Sequence, residues 1–278
     1  MRPRILLIAC LLSFLISHLN SQDTRSFPAE NVAVLIVANI NGNVSVEGSE
    51  VQQIVFEVES KSGNDKLQSV VYEQIGDTLV AYIKSKCNQF EIKNQDDGDH
   101  WGFYKWENNC RDEDPAHIDF KVVVPATLLK VLVSTINDGD IVVGSLTPSQ
   151  EVAAKNINGS IKISTGKIRS ARTINGDVDL AFSPGEILAG DFYTLNGDIR
   201  AFFPNELNAH LSFESYNGDF FTNSSDVKVQ PIQAEKKKDA DGFHIKIGGK
   251  SLMQFGQGGP ELEFETFNGD VIIKVNSL

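Results

Sequence analysis

Cysteine is scarce in this chain of 278 residues, which contains three cysteines and only two tryptophans. Beyond the N-terminal segment two cysteines remain, Cys87 and Cys110, and neither belongs to a CxxC pair. His100 and His117 nearby lack ligand spacing, so the sequence argues against a zinc site. An even cysteine count in an exported chain is typical of a disulfide, and we expect Cys87 to pair with Cys110.

Catalytic signature motifs are also missing. The sequence has neither an HExxH nor a GxSxG motif. Residues 249–251, Gly-Lys-Ser, lack the earlier glycine of a phosphate-binding loop, because His244 occupies that position. The glycine-rich run at 256–260 lacks GxGxxG spacing and ends in Pro260. We therefore expect no enzyme activity and no cofactor.

Only one long apolar run is present, at residues 5–19, after a basic start that contains Arg2 and Arg4. The run is shorter than the ~20 residues that span a bilayer, and a cleavage edge follows before Gln22. We predict a signal peptide over residues 1–21 and one exported domain over 22–278, without a transmembrane segment. Residues 7–10 resemble a lipobox ending at Cys10, but the preceding apolar run is short, so lipidation there is the less favoured alternative.

Basic residues are outnumbered by acidic ones, giving a net charge of −12. Loss of residues 1–21 would remove Arg2 and Arg4 and no acid, which brings the charge to −14. Nucleic-acid binders neutralise phosphates with Lys and Arg, so this balance disfavours nucleic acid and anionic membrane as partners. The three lysines at 236–238 are expected to form a solvated loop.

One turn motif is written seven times in the chain. An Asn or Asp precedes a glycine at Asn41, Asp138, Asn158, Asn175, Asn196, Asn217 and Asn268. The glycines at 139, 159, 176, 197 and 218 are spaced by 20, 17, 21 and 21 residues. Apolar residues lie two positions before and two after the glycine in most copies, which predicts strands with one buried face on both sides of each turn.

A spacing of this regularity indicates a stack of equivalent coils, with a meander of hairpins as the alternative. In a stack, equivalent positions face each other, and Asn amides can form a hydrogen-bonded ladder. We predict an all-β, single-stranded β-solenoid with coils of about 20 residues and two longer excursions between the turns at 42 and 139 and at 218 and 269. The expected structural turn residues are Asn158, Gly159, Asn175, Gly176, Asn196, Gly197, Asn217, Gly218, Asn268 and Gly269.

Three segments carry a resemblance to a known family: 35–60 (LIVANINGNVSVEGSEVQQIVFEVES), 122–144 (VVVPATLLKVLVSTINDGDIVVG) and 260–275 (PELEFETFNGDVIIKV). They resemble the first, central and closing coils of the bacterial putative-adhesin β-solenoids, a domain family of unknown function common in Bacteroidetes envelope proteins. The resemblance covers nearly all of the chain after residue 21. It implies a non-catalytic scaffold or binding protein in the periplasm, on the outer-membrane surface or outside the cell. The extra residue in the turn at Asp138, Ser160 in place of Asp, and the cysteine loop depart from the pattern and put the coil register in question.

An acidic residue follows the glycine in five turns: Asp140, Asp177, Asp198, Asp219 and Asp270. We expect these residues to serve the turns, with Asp177, Asp198 and Asp219 as weak calcium candidates because Ca²⁺ prefers oxygen ligands. A carbohydrate-active β-helix enzyme would also carry acids there, but it needs a basic catalytic residue at a recurring position, and none is present. An accessory protein of envelope stress signalling is a third possibility that the sequence does not separate.

The loop from Cys87 to Cys110 concentrates the aromatic residues Trp101, Phe103, Tyr104 and Trp106. Aromatic side chains on a braced loop can stack on a glycan or anchor a surface protein, so these four are candidate binding residues. The alternative, which we favour, is that the loop covers an end or a side of the solenoid.

Overall fold

The computed structural model describes residues 21–61, 67, 69–92, 103–106, 116–165, 167–230, 234–239, 242–247 and 250–276. The predicted signal peptide before residue 21, Trp101 and Cys110 lie outside the described residues. The described chain is all-β and contains no α-helix. Consequently, none of the described residues forms a helix with the length and apolar character needed to cross a membrane.

The first strands in chain order are β1 (Ser21–Pro28), β2 (Val34–Ala38), β3 (Val44–Ser49), β4 (Gln53–Ser60), β5 (Val70–Ile75), β6 (Thr78–Ile83), β7 (Asn88–Phe90), β8 (Tyr104–Trp106), β9 (Ile118–Pro125), β10 (Lys130–Ser134), β11 (Ile141–Gly144), β12 (Glu151–Lys155) and β13 (Ile161–Thr165). The remaining strands are β14 (Lys167–Asn175), β15 (Val178–Phe182), β16 (Gly190–Asn196), β17 (Ile199–Phe203), β18 (Ala209–Asn217), β19 (Phe220–Thr222), β20 (Val227–Val229), β21 (Ala234–Asp239), β22 (Gly242–Ile247), β23 (Ser251–Phe255), β24 (Glu261–Asn268) and β25 (Val271–Val275).

Two large sheets contain most of these strands. The ten-stranded sheet has the order β1-β4-β9-β3-β11-β13-β15-β17-β25-β19, and the eleven-stranded sheet has the order β20-β23-β18-β24-β16-β14-β12-β10-β2-β6-β5. Neighbours are parallel from β9 to β19 in the first and from β6 to β18 in the second. Antiparallel partners lie only towards the ends, where they terminate the parallel stack. Two further pairs, β7-β8 and β21-β22, form separate two-stranded sheets.

Alternate side chains of both sheets meet in one apolar core. In β15, for example, Val178, Leu180 and Phe182 are buried while the residues between them are not. Phe182 stacks on Phe203 of the neighbouring coil with ring centroids 4.4 Å apart. Fully burying a side chain of this size contributes roughly 1.5–3 kcal/mol, so the period-two pattern supplies most of the drive to form these strands.

The turns stack in parallel, as predicted for Asn175-Gly176 and Asn196-Gly197: Asn175 lies opposite Asn196 in adjacent parallel strands. The two long excursions have different effects on the order of the turns. The turn at Asn41 lies beside the turn at Asn137, so the long excursion between them does not separate their coils. The coil of β24 and β25 is inserted between β16/β17 and β18/β19, so Gly197 contacts Gly269 and not Gly218.

The prediction of a single-stranded solenoid is not confirmed in that form. The structure consists of two open sheets that mix parallel and antiparallel neighbours. The physical reason lies at the ends of the stack, where the antiparallel strands β4 and β23 pair with edges that a simple stack would leave exposed.

From the turn at Gly159 onward, the residues two positions before the glycine do not form the buried face that the alternation predicted, whereas Ile40 before Gly42 is buried. Ile174 and Leu195 are only partly buried, whereas Thr173 and Thr194, three before the glycine, have no exposed surface. The threonines point inward because their hydroxyls find hydrogen-bond acceptors in the adjacent turn. The apolar residues are thereby directed to the outer face of the eleven-stranded sheet.

Candidate functional site

The glycine of each turn is packed against the backbone of an adjacent turn in the stack. A Cβ atom at Gly176 would lie 2.3 Å from the carbonyl oxygen of Gly159, and one at Gly197 would lie 2.1 Å from that of Gly176. Gly176 also has a φ of +154°, which L side chains rarely adopt. At these positions both the close approach and the backbone conformation require glycine.

The residue three positions before the glycine bonds to the preceding turn of the stack. It donates from its side chain to the carbonyl oxygen of the glycine there, at 2.7–3.2 Å in four turns: Thr173 to Gly159, Thr194 to Gly176, Thr266 to Gly197 and Asn156 to Gly139. A buried polar group that is hydrogen-bonded costs little, and one without a partner costs about 1–3 kcal/mol. These side chains therefore satisfy buried carbonyl groups.

The asparagines before the glycines form a ladder of amide hydrogen bonds. Each Nδ2 donates to the Oδ1 of the next asparagine at 2.8–2.9 Å, in the order Asn217 to Asn268, Asn268 to Asn196, Asn196 to Asn175 and Asn175 to Asn158. The turn with the extra residue does not place Asp138 in this series, because Asn137 is the residue opposite Asn41 and Asp138 takes a positive φ of 47°.

The acidic residues after the glycines accept hydrogen bonds from the backbone of the adjacent turn. Four such hydrogen bonds are 2.7–2.9 Å long. The backbone N–H donates to the carboxylate in each: Ser160 to Asp140, Asp198 to Asp177, Asp270 to Asp198 and Asp219 to Asp270. Ser160, the departure from Asp, accepts from Asp177 N–H through its hydroxyl at 3.2 Å. The residue after the glycine therefore needs a short side chain with a hydrogen-bond acceptor, and either a carboxylate or a hydroxyl meets this need.

Arg200 sits among two of these carboxylates and a third acid, Asp179. Its guanidinium lies 3.0 Å from oxygens of Asp177, Asp179 and Asp198. Burial acts to lower the pKa of Arg200, but hydrogen bonds to Asp179 and Asp177 outweigh it and raise that pKa above its ordinary value. Among the described residues, no group of three or more His, Cys, Asp or Glu side chains is arranged to hold a metal ion. A guanidinium therefore occupies the place that the calcium hypothesis gave to a cation at Asp177 and Asp198.

The described part of the aromatic loop covers one half of the outer face of the eleven-stranded sheet. Phe90 of β7 stacks on Tyr82 at 4.5 Å, and Phe90 and Phe103 pack on the apolar cluster formed by Ile36, Val80, Leu132 and Ala153. Tyr104 donates its hydroxyl to the carbonyl oxygen of Ala38 at 2.7 Å and accepts from Ile83 N–H at 2.9 Å. The two described aromatic residues of the predicted binding set are thus committed to the body of the protein.

Of the other predicted residues of this loop, the structure describes Cys87 and the backbone of Trp106. Cys87 is buried and takes part in a disulfide. Its expected partner Cys110, like Trp101, lies outside the described residues, so the pairing stays a prediction. Trp106 ends β8, and its side chain lies outside the described part of the structure.

The other half of the same sheet, from β14 to β18, presents an outer surface that we call the uncovered face. Its most exposed apolar residues are Tyr216 and Phe267, with 75% and 43% of their surface exposed. Their rings lie parallel, 4.7 Å apart and tilted by 1°. They occupy equivalent positions in adjacent coils, two before Gly218 and Gly269. Beside them, Arg172 lies over the ring of Tyr193 at 4.8 Å and pairs with Asp191 at 2.8 Å.

A groove of about 720 Å³ adjoins the uncovered face at the opposite end of its strands. Its lining includes Arg169, Asp191, His210, Lys250, Leu252 and Glu263. Lys250 forms an ion pair with Glu263. The groove and the aromatic pair together make a polar surface with an exposed apolar edge, a combination typical of ligand-binding surfaces.

Sequence reasoning missed this face, although a signal was present. At the position two before the glycine, four of the first five turns carry isoleucine or leucine, the turn at Gly139 carries Asn137, and only the last two carry Tyr216 and Phe267. The alternating acids Glu261, Glu263 and Glu265 also mark β24 as a strand with a polar outer side. We had assigned these apolar positions to the core, which concealed the exposed aromatic pair.

Comparisons with known proteins assign no family. No family model matches the chain, and no curated protein matches it. Among solved structures, a putative cell adhesion protein from Clostridium sporogenes has a TM-score of 0.46 at 10% identity, covering 92% of this chain and 100% of that one. A putative adhesin from Bacteroides fragilis has a TM-score of 0.40 at 10% identity, covering 92% and 97%. A protein from Parabacteroides distasonis, named a putative lipid binding protein, has a TM-score of 0.29 at 16% identity, covering 92% and 97%.

The names of the first two structures agree with the family resemblance inferred from the sequence. All three TM-scores are below 0.5, and the identities are 10–16%. For that reason no conclusion about the function of this chain rests on the likeness.

Proposed function

We propose that this protein is an exported, non-catalytic β-solenoid scaffold of the cell envelope or cell surface that binds another molecule, in an adhesin-like role. In this proposal residues 1–21 are the signal peptide and residues 22–278 form the exported domain. A disulfide between Cys87 and Cys110 stabilises the aromatic loop that covers part of this domain. Binding takes place on the uncovered face.

The observation that carries the proposal is that the recurring polar side chains of the turns are hydrogen-bonded within the protein, which leaves the exposed aromatic residues for binding. The side chains of the turn edge are engaged with one another: Thr173 with a glycine carbonyl, Asn175 with Asn158, and Asp177 with a backbone N–H and with Arg200. Repetition of these groups thus serves stacking. The exposed aromatic residues of the uncovered face have no comparable structural use.

A carbohydrate-active enzyme would need a carboxylic acid held ready to donate a proton beside a second carboxylate. Along the turn edge the carboxylate oxygens instead accept backbone hydrogen bonds or lie on Arg200. That environment supports a structural role for these acids.

One experiment separates the two functions. The purified mature protein is incubated with intact bacterial cells and with a panel of envelope polysaccharides, and bound protein and released reducing ends are measured in parallel. We expect saturable binding without release of reducing ends. Release that rises with time and protein concentration would establish the enzyme and end the binding proposal, and absence of both signals would also contradict it.

A further inference from the structure

The aromatic pair on the uncovered face ends a column of side chains. The column passes through Ile174 and Leu195 to Phe267 and finishes at Tyr216, the residue of the last coil. One face of the Tyr216 ring is against Phe267, and with 75% of the residue exposed the other face is accessible. An accessible, flat aromatic face of this kind stacks on the apolar side of a sugar ring or on a cationic group.

Two carboxylates flank this pair on the same face. Glu214 and Glu265 lie directly opposite each other in the parallel strands β18 and β24, two residues before Tyr216 and Phe267. Like charges in such a position repel each other. The cations nearby are paired with other acids, Arg172 with Asp191 and Lys250 with Glu263. The charge of the uncovered face beside the rings is therefore complementary to a positively charged ligand.

The end of the asparagine ladder supplies polar groups on the other side of the rings. Asn217 donates to Asn268, and in the described ladder no asparagine donates to the Oδ1 of Asn217 itself. Asp219 ends the column of acids, and both residues are exposed. Amide and carboxylate oxygens beside an aromatic face are suited to accept hydrogen bonds from sugar hydroxyl groups.

We propose that the uncovered face binds an oligosaccharide that carries amino groups, with a sugar ring stacked on Tyr216, an ammonium group between Glu214 and Glu265, and hydroxyl groups at Asn217 and Asp219. This inference rests on the proposed function and names its ligand class. Contact between a positive charge and an aromatic ring already occurs on this face, where the guanidinium of Arg172 lies over the ring of Tyr193. An acidic polysaccharide is disfavoured by the same carboxylates.

The test is titration calorimetry of the full mature protein with a tetramer of β-1,4-linked glucosamine. Comparators are its fully N-acetylated form, a tetramer of galacturonate and penta-lysine. We expect the glucosamine tetramer to bind more tightly than all three, and added salt to weaken the binding. Tyr216→Ala should weaken it about tenfold, and Glu214→Gln combined with Glu265→Gln by at least as much.

The matched control is Phe221→Ala, which removes a 49% exposed aromatic residue from the other sheet and should leave binding unchanged. Thermal melting of each variant checks that the fold is kept. Tighter binding of penta-lysine, equal binding of galacturonate, or full binding by Tyr216→Ala would overturn the inference. If the protein binds intact cells but not the glucosamine tetramer, the ligand class is wrong and the proposed function stands. If it binds neither, both fail.

Discussion

At the scale of single residues, the sequence predicts some of the residues that form the turns but not the buried threonines. Glycine at 176 and 197 and the asparagines before them were assigned to turns, because only a repeated requirement explains their spacing. The inward threonines were not anticipated: Thr173 and Thr194 are polar, and hydrophobicity alone places such residues outside. Their burial depends on a carbonyl acceptor in another coil, which the local sequence does not specify.

Gly176→Ala should destabilise the protein by about 3 kcal/mol, since the added Cβ meets the Gly159 carbonyl oxygen at 2.3 Å and the φ of +154° is unfavourable for alanine. Gly144→Ala is the matched control, because a Cβ there meets no atom within 4 Å. Its effect should stay within about 0.5 kcal/mol. Urea unfolding measures both, and equal losses for the two variants would refute the close-approach explanation.

Tyr104→Phe should cost about 1–3 kcal/mol, because it leaves the Ala38 carbonyl and the Ile83 N–H without their partner. The pH dependence should change as well. Burial raises the pKa of Tyr104 above its ordinary value, although the hydrogen bond from Ile83 N–H acts in the opposite direction. The neutral phenol therefore stabilises the fold below about pH 10, and that contribution is lost as the pH rises above the unfolded-state pKa.

The free energy of unfolding of the wild type should accordingly fall above about pH 10, and the fall should be shallower in Tyr104→Phe. Tyr72 has a pKa raised mainly by burial and retains part of the slope in both proteins. Tyr216→Phe, at an exposed position, serves as the control and should match the wild type. Identical slopes for the wild type and Tyr104→Phe would show that Tyr104 is ionised as readily in the folded state as in the unfolded state.

At the scale of elements, strand positions follow from the period-two pattern, but the order of coils does not. The turns at Gly176, Gly197 and Gly269 present the same threonine, asparagine, glycine and aspartate to their neighbours, and the turn at Gly218 differs only in having Ser215 for the threonine. Spacing alone therefore made the turn at Gly218 the natural neighbour of Gly197, whereas β24 and β25 are inserted between them. Because these turns present equivalent surfaces, the sequence pattern fits the order β16-β18-β24 as well as the observed order β16-β24-β18. Only the path of the chain through β20 to β23 distinguishes the two orders.

The acid column with Arg200 predicts no calcium requirement. Because the guanidinium already lies on Asp177, Asp179 and Asp198, adding millimolar Ca²⁺ should leave the melting temperature of the wild type unchanged. Magnesium at the same ionic strength controls for general charge screening. A concentration-dependent rise with calcium alone would revive the metal hypothesis, since a ligand that binds only the folded state raises its stability.

The cover formed by β7 and β8 should depend on the disulfide. Alkylation of the freshly purified protein without reductant, followed by intact-mass analysis, should show no modified cysteine at Cys87 or Cys110. After reduction we expect two modified thiols and a lower melting temperature, because the closed loop restricts the unfolded chain by a model-dependent ~3 kcal/mol. Alkylation of either thiol before reduction would contradict the pairing.

At the scale of the whole molecule, the two halves of the eleven-stranded sheet have different uses. One half buries Ile36, Val80 and Leu132 beneath Phe90 and Phe103. The other half leaves Tyr216 and Phe267 exposed. The sequence pointed to the aromatic loop as the place of binding, because it is rich in aromatic residues, yet aromatic content alone does not tell a cover from a binding surface. Burial distinguishes them for Phe103 and Tyr104, and the pair Trp101 and Trp106 remains to be tested.

The most direct test compares two double variants for binding to intact cells and for melting temperature. If the uncovered face binds, Tyr216→Ala with Phe267→Ala should lose cell binding and melt within a few degrees of the wild type. Trp101→Ala with Trp106→Ala should melt lower, in keeping with a cover, and should bind normally while it remains folded. The opposite result, with binding lost in the folded tryptophan variant and kept in the Tyr216 and Phe267 variant, would place the function in the loop and contradict the proposal.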